Sequence, residues 1–378
     1  MSWKIEKIAE YEDEDKRGGI CMACDDEIVV IGRSGWSGEA NVYTIQTGEL
    51  KFKLKCNNLE DTPEPFSHDN ILAWLGTSII VTLGLNDNTL KIWDKADGTL
   101  LAEDLHKDKE KMEEMKKVQN MEGEEKEAWF NEKTVGWDEE KKQIFMYQIA
   151  FGVVENARKF ECLTVKDDMV YGGYDGGLLI IGKEGGEWKI VKEVKLDYKL
   201  NEIESSGSWF AVAKVEEDHK MFSLWDPEKE EMGEQFTGKM KYFAHCKFVY
   251  PHLLMVGGRG DCDKTGVEVR HVETGELVRH LLQGEKRYEF ISLSNDGKFF
   301  VVCEFVNSFS TGDDKSLKLA VYNVEQVLDT TIQEEDLWSH TMEYKLSGLD
   351  HVRGVINQDY LIVNHSDTKL SVHSLEQL

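Results

Sequence analysis

Two stretches constrain this chain more than any others: Leu90-Lys91-Ile92-Trp93-Asp94 and Met221-Phe222-Ser223-Leu224-Trp225-Asp226. Each reads as a short strand ending in Trp-Asp, preceded by a polar turn and an earlier apolar strand. The same unit recurs along the sequence, usually with the Trp replaced. A unit of four short strands repeating about every 40–45 residues cannot bury its own faces and must stack against its neighbours.

The first unit has apolar Ile20–Ala23 and Ile28–Ile31, then Val42-Tyr43-Thr44-Ile45, then the turn Thr47-Gly48-Glu49-Leu50 into Phe52–Leu54. That turn returns as Thr274-Gly275-Glu276-Leu277, and as Asp97-Gly98-Thr99-Leu100 after the first Trp-Asp. Each follows a third strand, where Gly supplies the positive φ of a tight hairpin. Further units begin at Ile71–Leu75, Phe160–Thr164, Trp209–Ala213, Leu253–Val256, Phe290–Leu293 and Val352–Ile356. The unit at Phe160 continues through Met169–Tyr171 and a turn around Gly172–Gly177, then Leu178–Ile181 and Trp188–Val191.

The last unit runs to Leu370–Val372 and lacks a fourth strand, while Trp3-Lys4-Ile5-Glu6-Lys7-Ile8 alternates apolar and polar before the first unit begins. Pairing the two would close a ring and remove two exposed sheet edges. One segment breaks the rhythm. Residues 104–127 are densely charged, with Leu105, Met112, Met115 and Val118 near helical spacing. A charged helical or irregular insertion is expected over 104–133, followed by two strands at Thr134–Trp137 and Ile144–Ile149.

The strands from Asp87 to Asp94 resemble the Asp-x-Thr-(apolar)-x-(apolar)-Trp-Asp segment of the WD40-repeat family, and Phe160–Ile181 fits as well. The resemblance covers nearly the whole chain. It implies an all-β fold: a WD40-like β-propeller of seven four-stranded blades, with eight as the alternative. The expected domain is a single ring over 1–378, closed by the N-terminal strand and interrupted by the insertion. In the family, a His between blades, a Ser or Thr on the second strand, a turn Asp and the Trp form a hydrogen-bonded set. Here Asp87 and Trp93 match, with Leu83 read at the hydroxyl position. Asp175 matches, but Ile181 replaces the Trp. His219 stands at a turn-Asp position, and Tyr43, Arg270, Tyr322 and His373 at Trp positions. The chain is thus identified as a divergent member.

A net charge of −27 disfavours nucleic acid and anionic membranes as partners and permits a basic protein. The 32 Gly against 4 Pro suit consecutive hairpins. The seven Cys are odd in number and several fall in expected strands, while Met1-Ser2-Trp3-Lys4 leads straight into charged residues. Reduced thiols in the cytoplasm or nucleus are the reading.

Motifs for chemistry are thin. Cys21-Met22-Ala23-Cys24 has CxxC spacing, but residues three apart on a strand face opposite ways, so these are structural cysteines. Asp261, Asp263 and Thr265 resemble the start of a calcium loop, yet its twelfth position holds Val272 in place of the bidentate Glu. The reading is an acidic turn. His351, His365, Ser366 and Asp367 could be assembled into a Ser-His-Asp set, but adjacency in sequence is not triad geometry. With no nucleophile elbow, P-loop or dinucleotide fingerprint, neither catalysis nor a cofactor is expected.

The loops joining second to third strands line one mouth of such a ring. They carry Arg33, Trp36, Tyr174, Arg259, Phe305 and Phe309, the residue types that dominate interface hot spots. The expectation is a monomeric scaffold that binds protein or peptide segments through this face. The first alternative is an acidic chaperone or escort for a basic client such as a histone or ribosomal protein. The second is a propeller enzyme with a central metal.

Overall fold

The computed structural model describes residues 3–12, 19–35, 38–56, 69–84, 88–106, 117–118, 120–138, 141–143, 159–216, 219–227, 231–232, 236–237, 243–257, 265–284, 287–306, 316–345, 353–366 and 369–377. These form seven antiparallel blades in a ring. The seven-blade expectation holds, and the eight-blade alternative falls away.

Blade one is β2 (Gly19–Cys24), β3 (Ile28–Gly35), β4 (Glu39–Thr44) and β5 (Leu50–Lys55); blade two is β6 (Asp69–Leu75), β7 (Ile79–Gly84), β8 (Leu90–Asp94) and β9 (Leu100–Glu103). Blade three is β10 (Phe160–Lys166), β11 (Met169–Glu184) and β12 (Glu187–Lys199). The run β11 is too long for one blade strand and doubles back near Gly176, whose φ is 94°. A Cβ on Gly182 would lie 3.4 Å from Met169 Cε, and one on Gly177 would lie 2.7 Å from the Tyr174 hydroxyl. Its two limbs therefore serve as second and third strands, as the turn around Gly172–Gly177 anticipates.

Blade four is β13 (Glu202–Ser206), β14 (Trp209–Glu216), β15 (His219–Asp226) and an outer strand in two pieces, β16 (Glu231–Met232) and β17 (Phe236–Thr237). Blade five is β18 (Phe243–Val249), β19 (His252–Gly257), β20 (Thr265–His271) and β21 (Leu277–Gly284); blade six is β22 (Arg287–Leu293), β23 (Phe299–Val306), β24 (Ser316–Asn323) and β25 (Ser339–Lys345). Blade seven joins β26 (Arg353–Ile356), β27 (Tyr360–Ser366) and β28 (Lys369–Gln377) to the N-terminal β1 (Trp3–Glu12). The closure runs from Trp3 opposite Gln377 to Glu12 opposite Lys369, as the alternation of Trp3–Ile8 predicts.

The core is seven seams rather than one centre. Each seam is an apolar cluster drawn from two adjacent blades. Blade four faces blade three with Phe210 and Trp225, which meet Tyr171, Leu178 and Ile180. Blade six faces blade seven with Phe299, Val301 and Val321, which meet Leu361, Val363 and Leu375. Each fully buried Leu, Ile or Phe of this kind contributes about 1.5–3 kcal/mol relative to exposure. Both faces of a blade are buried, so the second strands read as near-continuous apolar runs, as Ile79–Gly84 does.

Two expectations are corrected here. Thr134–Trp137 is not a strand: it is the turn that ends helix α1 (Gly123–Lys133), with Thr134 donating its backbone N–H to Phe130 O at 3.0 Å. The helix forms because its sequence is rich in Glu and Lys, with acids in its first turn and Lys133 in its last. Ile144–Ile149 lies outside the described residues, as do Met112 and Met115. Leu105 packs into the seam between blades two and three, while Val118 is buried in a separate cluster with Met121, Trp129 and Phe130.

The second correction is one of register. Thr82, not Leu83, occupies the hydroxyl position on blade two, and its Oγ1 accepts from Trp93 Nε1 at 2.9 Å. Leu83 points into the seam with blade three. A slip of one residue reverses which face a strand side chain serves.

Candidate functional site

The ring has two unlike faces. On one lie the turns between first and second strands, and side chains there tie blades together. Ser78 donates its backbone N–H and its hydroxyl to the Asp168 carboxylate at 2.8 and 2.6 Å, joining blades two and three. Ser206 Oγ accepts from Tyr250 N–H at 3.0 Å, joining four and five. Lys95 pairs with Asp25, joining two and one. Asn357, fully buried, donates to Asp25 O at 2.6 Å and accepts the N–H groups of Asp359 and Tyr360 at 2.8 and 2.6 Å. Burial, then the carboxylates of Asp25, Asp359 and Asp296, push the Asp26 carboxyl upward, against the pull of Lys95.

The opposite face carries the connections between second and third strands, and of the expected binding residues the backbone of Arg33 and Phe305 is placed at its strand ends. Arg33 lies near the end of β3, beside Gly35, where β3 leaves its own blade and pairs with β6 through Ser34 opposite Asn70 and Gly35 opposite Asp69. Blades one and two are thereby joined by backbone pairing at the base of the Trp36 loop. The close approach needs Gly32, since a Cβ there would fall 2.1 Å from Ile71 O. Phe305 is the penultimate residue of β23, opposite Arg287 and Leu317. Thr265 opens β20 on the same face, opposite Gly284. Trp36, Arg259, Phe309, Asp261 and Asp263 lie outside the described residues.

Tyr174 corrects the expectation of a displayed aromatic. It is 8% exposed and packs in the seam between blades two and three with Phe160 and Leu179, and its hydroxyl donates to Glu193 Oε1 at 2.6 Å. The turn that carries it places it against Gly177, so the ring folds inward.

A buried polar set on this face escaped the sequence reading. Asn88, with φ of 52°, accepts Phe160 N–H on its Oδ1 at 3.2 Å, and its side-chain amide and backbone carbonyl each lie 3.1 Å from His106 Nε2. The His106 ring packs on Phe160 with centroids 4.6 Å apart, and Asp104 Oδ1 accepts Leu90 N–H at 3.1 Å. These contacts fix the root of the insertion between blades two and three. The available signal was the polar turn before Leu90, whose partner lies 18 residues away across an irregular segment.

Among the described residues no three or more His, Cys, Asp or Glu side chains gather to hold a metal ion. Six cysteines are described, and all are free thiols. Burial pushes the Cys24 thiol far up and that of Cys56 up to about 12, which disfavours the reactive thiolate at both. No described helix is long and apolar enough to cross a membrane.

No protein-family model matches the chain, and no curated protein matches it in sequence. Its fold is matched among solved structures. A computationally designed protein, Ika8, aligns with TM-score 0.54 at 11% identity, covering 98% of this chain and 99% of that one. A chain in the crystal structure of the mitotic checkpoint complex aligns with TM-score 0.56 at 10% identity, covering 97% and 94%. At such identities the likeness is one of fold.

Proposed function

We propose that the chain is a divergent WD40-type scaffold that binds a protein or peptide segment through the face carrying Arg33, Trp36, Arg259, Phe305 and Phe309. The observation that carries this reading is the asymmetry of the ring: turns stitched to one another on one side, and on the other two long connections, 258–264 and 307–315, between paired strands. Loops held on a rigid scaffold are where recognition concentrates. Aromatic and Arg side chains supply the anchors, and the net charge of −27 steers a basic partner toward them. The role is recognition rather than catalysis, without a cofactor, by a monomer in the cytoplasm or nucleus. Occurrence of a fold neighbour in a multi-protein complex accords with partner binding.

The second reading is an acidic escort for a very basic client, favoured by the same charge and by the crowded carboxylates around Asp26. One experiment addresses both. The chain is captured from its native cell, its principal co-purifying protein is identified, and that protein is titrated against wild type and Trp36→Ala. Loss of binding in the variant supports the scaffold. Binding that ignores Trp36 but collapses between low and physiological salt supports the escort.

A further inference from the structure

The outer strands of the blades leave their far edges open, and three of them are guarded by exposed Lys. The exposed positions of β5 are Lys51, Lys53 and Lys55; those of β12 include Lys189, Lys195 and Lys199; β1 shows Lys4 and Lys7. Charged residues, Lys above all, keep an open edge from pairing with another chain. The outer strand of blade two is different. In β9, Leu100 is 42% and Leu101 37% exposed, Ala102 is half-buried, and no Lys is present. It ends its sheet, with β8 as its one strand neighbour among the described residues. Exposed acids stand at its two ends, Asp97 in the preceding turn and Glu103 at its close.

We propose that the β9 edge is a strand-addition site for a short extended segment of a partner protein, apolar in the middle and basic at both ends. Backbone pairing along Leu100–Glu103 would supply affinity, with Leu101 the extra residue of a bulge opposite Ile92–Trp93, and Leu100 and Leu101 would contact apolar side chains of the added strand. Asp97, which accepts Thr99 N–H at 2.9 Å, and Glu103, 3.9 Å from Lys91 Nζ, keep exposed carboxylates that select its basic ends. A second copy of this chain fits poorly. Four residues give too small an interface for a stable dimer, and two molecules of charge −27 repel. The site is on the rim, separate from the loop face, so it stands or falls independently of the reading above.

The test uses the full chain and a fluorescent peptide, Lys-Thr-Val-Ile-Val-Thr-Lys, with two controls: Pro in place of the central Ile, and Glu in place of both Lys. Wild type is expected to bind the parent peptide at least about tenfold more tightly than either control. Leu100→Lys with Leu101→Lys should abolish that preference while leaving the melting temperature within a few degrees. Hydrogen exchange on wild type, needing no variant, should show amides of 100–103 slowed by the parent peptide alone. Equal binding of the Pro peptide, or unchanged exchange at 100–103, overturns the proposal. So does a wild-type dimer that the double variant converts to monomer, since a second copy would then hold the edge.

Discussion

The two faces of the ring are built from the same strands and do opposite things. On the stitched face, buried Asn357 carries three hydrogen bonds and Asp168 caps the neighbouring blade at Ser78. On the loop face, β3 and β23 carry Arg33 and Phe305 in their last residues. The difference teaches that a ring of blades can divide its labour. Polar side chains satisfy backbone groups across blades all along one side, while on the other such ties concentrate at blades one to three, through Asn88 and the pairing of β3 with β6. Ring closure spans the blade from face to face, and on the first side it is anchored by Trp3: its ring packs edge-on against Phe299 at 4.6 Å, and Trp3 O accepts from Trp338 Nε1 at 3.2 Å.

The sharpest way to break the comparison is therefore to remove the closure. Deleting residues 2–8 takes away Trp3 and Ile5 from the seam between blades six and seven and exposes the edge of β28. Losing two such side chains and a paired strand should cost several kcal/mol, about 4 or more, and lower the melting temperature sharply. An unchanged melting curve would mean that the stitched face holds the ring without β1.

Asn357→Ala comes next. It leaves the N–H groups of Asp359 and Tyr360 and the carbonyl of Asp25 without their partner in a part-buried turn. The expected loss is about 2–3 kcal/mol in denaturant unfolding. Partner binding on the loop face should be unaltered, and a matched loss of binding would show that the two faces are coupled.

Trp36→Ala reverses the pattern. Stability should stay within about 1 kcal/mol, while binding to the principal partner weakens by about 2 kcal/mol. Calorimetric titration together with a melting curve reads both. Large destabilisation would turn Trp36 into a packing residue and remove the functional contrast between the faces.

Much of the fold was legible because it rests on local period. The strands of blade two, the repeated Gly48, Gly98 and Gly275 turns, and the orphan strand at Trp3–Ile8 all announce themselves within a few residues. The candidate face was legible as a placement, since second-to-third connections must share one side. Register and orientation were not. Leu83 and Thr82 differ by one position, and only the pairing of Thr82 opposite Lys91 decides which side chain meets Trp93. Tyr174 stood on an expected loop, but the Gly177 beside it lets the ring turn inward, and no local pattern says so. The stitches are long-range by nature: Asn295 reaches Cys24 O across 271 residues, and no period links them. The turn at Thr134–Trp137 misled because Val and Trp favour strands, while the preceding helix, not propensity, sets its conformation.

The smallest expected effect sharpens the comparison from its edge. Glu10 lies on β1, away from the buried stitches, and accepts hydrogen bonds from Lys7 on its own strand and from Lys369 on β28. The bond from Lys7, then that from Lys369, lowers its carboxyl pKa to about 2. An unfolded Glu titrates near 4.3. The folded value is the lower one, so the contribution is fully present above the unfolded value and fades as pH falls through the range from about 5 toward 2. The group is exposed and salt screens it, so the effect is slight. In low salt, the wild type should lose a little more stability than Glu10→Gln between pH 5 and pH 3, and the gap should close in high salt. A gap that widens as pH rises above 6 would mean that some other ionisation governs the closure. Identical pH profiles would place the whole of its strength in the pairing and packing of β1.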